Sequence, residues 1–78
     1  MALRKYVEMV VHFDTCGKLT PMQLIWSDGR KYEIDRVLEV RRAAALKAGG
    51  HGIRYTVRIL GRQRYLFFDD TRWFVEEE

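Results

Sequence analysis

A single cysteine, a single proline and the lack of any long apolar run set the first limits on this 78-residue chain. Cys16 alone cannot close an internal disulfide, which fits a reducing compartment and makes the cytoplasm the expected location. Apolar runs such as Tyr65 to Phe68 are far too short to span a bilayer, so no membrane partner is expected. The segment from Met1 to Phe13 carries Glu8 within its apolar stretch and has no small-residue cleavage site, which argues against a signal peptide. Walker, GxGxxG, RNP and KH patterns are missing, and so are the paired CxxC or HxxxH ligands of structural zinc. His12, Asp14 and Cys16 stand at alternate positions and His51 is the other histidine, but a turn cysteine and two surface histidines explain them better than a metal or thiol site does. Asp69 and Asp70 fall where a hairpin needs turn formers. No enzyme activity, metal or cofactor is expected.

Acids are missing in one region. Residues 41 to 64 hold six arginines and Lys47 without a single Asp or Glu, whereas Asp69, Asp70, Glu76, Glu77 and Glu78 later oppose only Arg72. The net charge of +3 conceals this split, which suits either an anion-seeking surface or a solvated face. With 47% apolar and 32% charged residues the composition is that of a globular protein. Its length allows one domain, residues 1–78, near the lower limit for a self-sufficient core, so association with a second copy would help it.

What is present is β periodicity. Val7, Met9, Val11 and Phe13 alternate with Glu8 and His12, the pattern of a half-buried strand. A corner at Asp14 to Lys18 follows, then Pro21 at a strand start or sheet edge, and Met22, Leu24 and Trp26 on one face. A two-residue Asp28-Gly29 turn would set Leu24 and Trp26 against Glu33 and Lys31. A three-residue loop, Ser27 to Gly29, aligns Met22, Leu24 and Trp26 with Ile34, Tyr32 and Arg30 instead, and the apolar pattern selects this register. Gly29 then takes the left-handed position, which costs a residue without Cβ nothing. A long third strand is expected from Tyr32, Ile34, Leu38 and Val40, with Arg36 leaving that face through a rim, a bulge or an ion pair. The Ala-rich, Gly-rich stretch after it reads as at most one short helical turn near 42–48 or as an irregular loop.

The last third reads as a meander. Ile53, Tyr55, Val57 and Ile59 alternate with polar residues, Gly61-Arg62 suits a two-residue turn, and Leu66 and Phe68 pair with Val75 and Trp73 across Asp69 to Arg72. About six strands and no long helix predict an all-β fold, a small closed antiparallel barrel of SH3-like type with an OB-like barrel as competitor.

These registers leave Tyr65, Phe67 and Phe74 on the face opposite Leu66, Phe68, Trp73 and Val75, so both faces of one hairpin are apolar. Arg58 is expected across from Tyr65 and Thr56 across from Phe67. Arg58, Tyr65, Phe67 and Phe74 thus form a candidate surface for another protein or for the chain's own copy. The same residues, with phosphate contacts from Arg41, Arg42, Arg54 and Arg64, would suit weak, largely sequence-independent nucleic-acid binding. A second layer of core beneath the Ala-rich connection or the first strand is the non-functional reading of the rings, and a small ligand would need a concave pocket.

The segments around Trp26, Asp28, Gly29, Tyr32, Ile34, Asp35 and Val37, then Arg42, Ala44, Ala45 and Lys47 to Gly50, then Arg54 to Ile59 and Trp73 to Glu76, resemble a family of short bacterial single-domain β proteins of unknown function. The likeness covers about two-thirds of the chain and implies no activity. The Trp26 to Tyr32 hairpin and the closing aromatic strand are similar, more faintly, to small β domains associated with bacterial lesion-bypass polymerases. That implies a role near DNA and no site residue.

Overall fold

A computed structural model describes residues 3–44 and 51–77 of the chain, with side chains over 4–42 and 52–76. The described residues form one antiparallel sheet curled into a half-barrel, with strand order β3-β2-β1-β7-β6-β5-β4. The strands are β1 (Leu3–Phe13), β2 (Leu19–Ile25), β3 (Lys31–Glu33), β4 (Arg36–Ala44), β5 (His51–Ile59), β6 (Arg62–Phe68) and β7 (Trp73–Glu77).

The β2–β3 hairpin has the expected register. Leu24 faces Tyr32, the Trp26 N–H donates to the Arg30 carbonyl, and Gly29 at φ 88° closes the three-residue loop. Asp28 Oδ1 accepts the Arg30 N–H and holds the corner. The Asp14 to Lys18 corner is built in the same way, with Asp14 Oδ1 accepting the N–H groups of Cys16 and Lys18. Such Asx contacts replace ladder bonds where the chain reverses.

The long third strand divides. The Ile34 N–H donates to Met22 of β2, and the next N–H, of Asp35, donates to Arg58 of β5. One extended segment therefore bridges the two ends of the sheet, and the described residues hold seven strands where about six were expected. Two bulges flank this crossing. Met22 has no partner in the β1 ladder, where Val10 faces Gln23 and Val11 faces Pro21, and Leu38 is skipped between Val37↔Val57 and Glu39↔Thr56. An extra residue bends its strand and raises the local twist. The expectation that Met22 and Leu38 face the core is thereby corrected: both are exposed, Val37 turns inward, and Arg36 leaves to the outer face through the bulge. Pro21, lacking an N–H, is tolerated beside the bulge and is buried.

The core lies on the concave face. Buried Leu24, Tyr55, Val57, Ile59, Leu66 and Trp73 pack with partly buried residues from all the other strands, among them Val7, Met9, Tyr32 and Val37. Tyr55 reaches across to donate its hydroxyl to the Leu19 carbonyl, and burial raises its pKa. The expected helical turn near 42–48 is not supported where it is described: Arg42 to Ala44 are extended in β4, and 45–48 lie outside the described residues. Nor is the sheet a fully paired barrel, since β3 and β4 remain its edges. No helix among the described residues is long and apolar enough to cross a membrane.

The β5–β6 turn is the main register correction. Ile59 faces Arg62 and Thr56 faces Tyr65, so the turn residues are Leu60 and Gly61, not Gly61 and Arg62. Both central residues have positive φ, 52° and 75°, as a type I′ hairpin requires, and its twist matches that of the strands. The shift by two residues keeps every side chain on its expected face but changes its neighbour. Leucine is strained in this conformation, and its exposed side chain offers little packing in return. Leu60→Asn should therefore raise the unfolding free energy by about 0.5–1 kcal/mol, read from the urea midpoint at unchanged m-value. A lower midpoint would contradict the assigned turn.

Candidate functional site

Five strands contribute one row to the outer face of the sheet: Arg41 faces Arg54, Arg54 faces Phe67, Phe67 faces Phe74, and Phe74 faces Tyr6. Phe67 and Phe74 stack with centroids 5.1 Å apart and planes at 11°. Tyr6 meets Phe74 edge-on at 5.8 Å. Arginines cover these rings: Arg4 Cζ lies 4.6 Å from the Phe74 centroid, Arg72 3.8 Å from Tyr6, and Arg54 4.8 Å from Tyr65. The outer face thus carries its own small apolar layer beneath guanidinium groups.

This arrangement gives two of the rings the second-layer reading and leaves the third at the surface. Phe67 and Phe74 are each only 1% exposed and form a second buried cluster; Tyr65 and Arg58 are exposed. β1, placed between β2 and β7, brings Tyr6 and Arg4 over Phe74, a neighbour the local pattern of the last hairpin does not reveal. The arginine beside Tyr65 is Arg54, because the register shift sets Arg58 opposite Gln63. The four candidate phosphate contacts do not share a surface. Arg41 and Arg54 lie on the outer face, whereas Arg42 faces Ile53 and Arg64 faces Val57, both on the core side.

The electrostatics of the outer face are unbalanced. Arg36 stands directly opposite Arg58, and Arg41 opposite Arg54. Like charges opposed across strands are destabilising, so this edge of the sheet is short of anions. Glu39 relieves it in part, with Oε1 3.7 Å from Arg54 Nη2, while Arg54 Nε is buried without a hydrogen-bond partner. At the other end Asp69 Oδ1 accepts N–H groups from Thr71 and Arg72 and the Thr71 hydroxyl. The Arg72 backbone bond, then the Thr71 bonds, lower the Asp69 pKa, and the loop they shape presents Arg72 to Tyr6.

Elsewhere little chemistry is assembled. No group of three or more His, Cys, Asp and Glu that could hold a metal occurs among the described residues. Cys16 and His12 are exposed, Asp14 is engaged in its turn, and the His51 side chain lies outside the described residues. Sequence reasoning missed a cleft of about 910 Å³ at the open seam between the β2–β3 hairpin and β6, where Trp26 and Tyr32 oppose Arg62 and Arg64. The available signal was parity: Arg62 and Arg64 share the phase of Leu66 and Phe68.

Two outcomes check this description. Phe67→Ala or Phe74→Ala should each cost about 3–5 kcal/mol in denaturant unfolding, the value for a core ring, whereas a merely superficial patch would lose far less. Asp69 is an acid of depressed folded pKa, so its stabilisation is complete above the ordinary carboxylate range and is lost as pH falls through the lowered value. Asp69→Asn should flatten the acid limb of the stability profile, and an unchanged limb would show that the loop bonds contribute nothing. No family model matches the chain, and comparison with curated proteins and with solved structures likewise found no match.

Proposed function

We propose that the chain is a non-enzymatic interaction module that binds an acidic segment of another protein on the outer face of β4, β5 and β6. The carrying observation is the pair of like-charged cross-strand contacts, Arg36 with Arg58 and Arg41 with Arg54, beside exposed Tyr65. An anionic partner turns their mutual repulsion into attraction, and Tyr with Arg is the composition typical of interface anchors. Buried Phe67 and Phe74 make the platform rigid and do not themselves meet the partner. A protein partner is favoured over a base-stacking one because Tyr6 and Tyr65 each have a ring face already covered by a guanidinium. An SH3-like reading of the half-barrel accompanies this proposal, supported by the bent strands and by the segment that crosses between the sheet ends. So does membership in the family of short bacterial β proteins, supported by the structural roles of Gly29 and Tyr32.

Weak nucleic-acid binding is the second reading, favoured by the concentration of Arg36, Arg41, Arg54 and Arg58 on one face. Fluorescence anisotropy with a glutamate-rich peptide and with a single-stranded oligonucleotide separates the two. The peptide should bind and the oligonucleotide should not, and Arg58→Glu should abolish binding while raising stability by about 0.2–1 kcal/mol, because it replaces a like-charge contact with an opposite one. Oligonucleotide binding that falls steeply with salt would favour the second reading. Loss of neither ligand in Arg58→Glu, or no binding at low salt, would refute both.

A further inference from the structure

On the core side of the sheet two arginines occupy places normally given to apolar side chains. Arg62 faces Ile59 and Arg64 faces Val57, which is 0% exposed, and residues opposed across antiparallel strands share a face. The next residue in that phase, Leu66, is buried. The Arg62 and Arg64 side chains are nonetheless exposed and make no hydrogen bond or ion pair among the described residues. They escape burial because no strand pairs across the seam between β3 and β6, where the cleft of about 910 Å³ opens. Its floor is Leu24, Trp26, Tyr32, Ile59, Leu66 and Val75, and Glu76 is the one acid that lines it among the described residues. The Lys5 ammonium stands 4.8 Å from the ring centroid of Trp26, one of the lining residues. Two arginines therefore rim an apolar hollow whose size falls within the range of small-molecule sites, and a third cation lies against one of its rings.

We propose that this cleft binds a soluble amphipathic organic anion. The apolar or aromatic body lies on Trp26, Tyr32 and Leu66, and a carboxylate or phosphate head is held by Arg62 and Arg64, with Lys5 on the Trp26 ring adding charge nearby. Burial of the body supplies affinity roughly in proportion to apolar area, and planar guanidinium groups bind oxyanions through charge-assisted paired hydrogen bonds. A neutral ligand of the same shape would strip water from the arginines without replacing it, and a cationic one would be repelled. This selectivity separates the cleft from a generic greasy groove, and its arginines differ from those of the outer face proposed to meet a protein partner, although Tyr65 borders both.

The experiment uses the full chain with three probes of one chain length, dodecanoate and dodecyltrimethylammonium below their micelle concentrations and dodecanol below its solubility limit. Binding is followed by displacement of the amphipathic anion anilinonaphthalene sulfonate and by backbone amide shifts in nuclear magnetic resonance. Dodecanoate should displace the dye, with shifts at Trp26, Tyr32, Ile59 and Arg62 to Leu66 and none at Arg41 or Arg58. The Arg62→Gln/Arg64→Gln double variant should weaken dodecanoate about tenfold or more and leave dodecanol unchanged. Arg62→Lys/Arg64→Lys keeps the charge and should recover part of the loss, which distinguishes head-group recognition from a change in folding. Equal binding of the three probes, shifts confined to the outer face, or a doubled mass in light scattering with the seam amides protected by a second copy would overturn the proposal.

Discussion

The consecutive amides of Ile34 and Asp35 hold this fold in shape. One donates to β2 and the other to β5, which lie far apart in the order of the sheet, so the sheet must curl until both are within reach. The bulges at Met22 and Leu38 supply the bend on either side of the crossing. Because a single segment makes this closure, it leaves a seam on each side. The larger becomes the cleft beneath Trp26 and Arg64; the smaller, about 250 Å³, lies between Leu19 and Val40 and is spanned by the Tyr55 hydroxyl. Where the clefts open is thus a consequence of how the half-barrel is bridged.

A sheet of this size has more apolar side chains than one concave face can hold, and the surplus is accommodated outside. Phe67 and Phe74 stack on the convex face, and Arg4, Arg54 and Arg72 lay guanidinium groups on these rings and on the neighbouring tyrosines. Each such contact is worth only about 0.5–1 kcal/mol at an exposed site, yet together the side chains shield rings that would otherwise promote nonspecific association. They also concentrate positive charge on the same face. The cover that protects the second apolar layer is therefore what makes that face attractive to anions.

Local patterns read some parts of this molecule directly. The three-residue loop at Ser27 to Gly29, the Asp14 corner, the alternation in β5 and the Phe68 to Trp73 pairing all follow from which residues must face together and which can take a left-handed turn. The β5–β6 turn was less legible. Leu60-Gly61 and Gly61-Arg62 place the same residues on the same faces, so parity cannot choose between them. The bulges were legible only in part: the break in alternation at Arg36 admits a bulge, a rim or an ion pair, and only the partner strand fixes which residue is skipped. The candidate surface was half legible. Tyr65 and Arg58 are exposed, but the burial of Phe74 depends on β1, distant in the chain and adjacent in the sheet.

Periodicity and turn chemistry alone determined that the chain is built of antiparallel strands, where most of them reverse, and which side chains share a face, because these follow from backbone geometry within a few residues. Tertiary structure decided which rings are covered, which arginines oppose one another and where the barrel stays open. Those depend on contacts between strands remote in sequence, and on a crossing whose two adjacent amides bond in different directions.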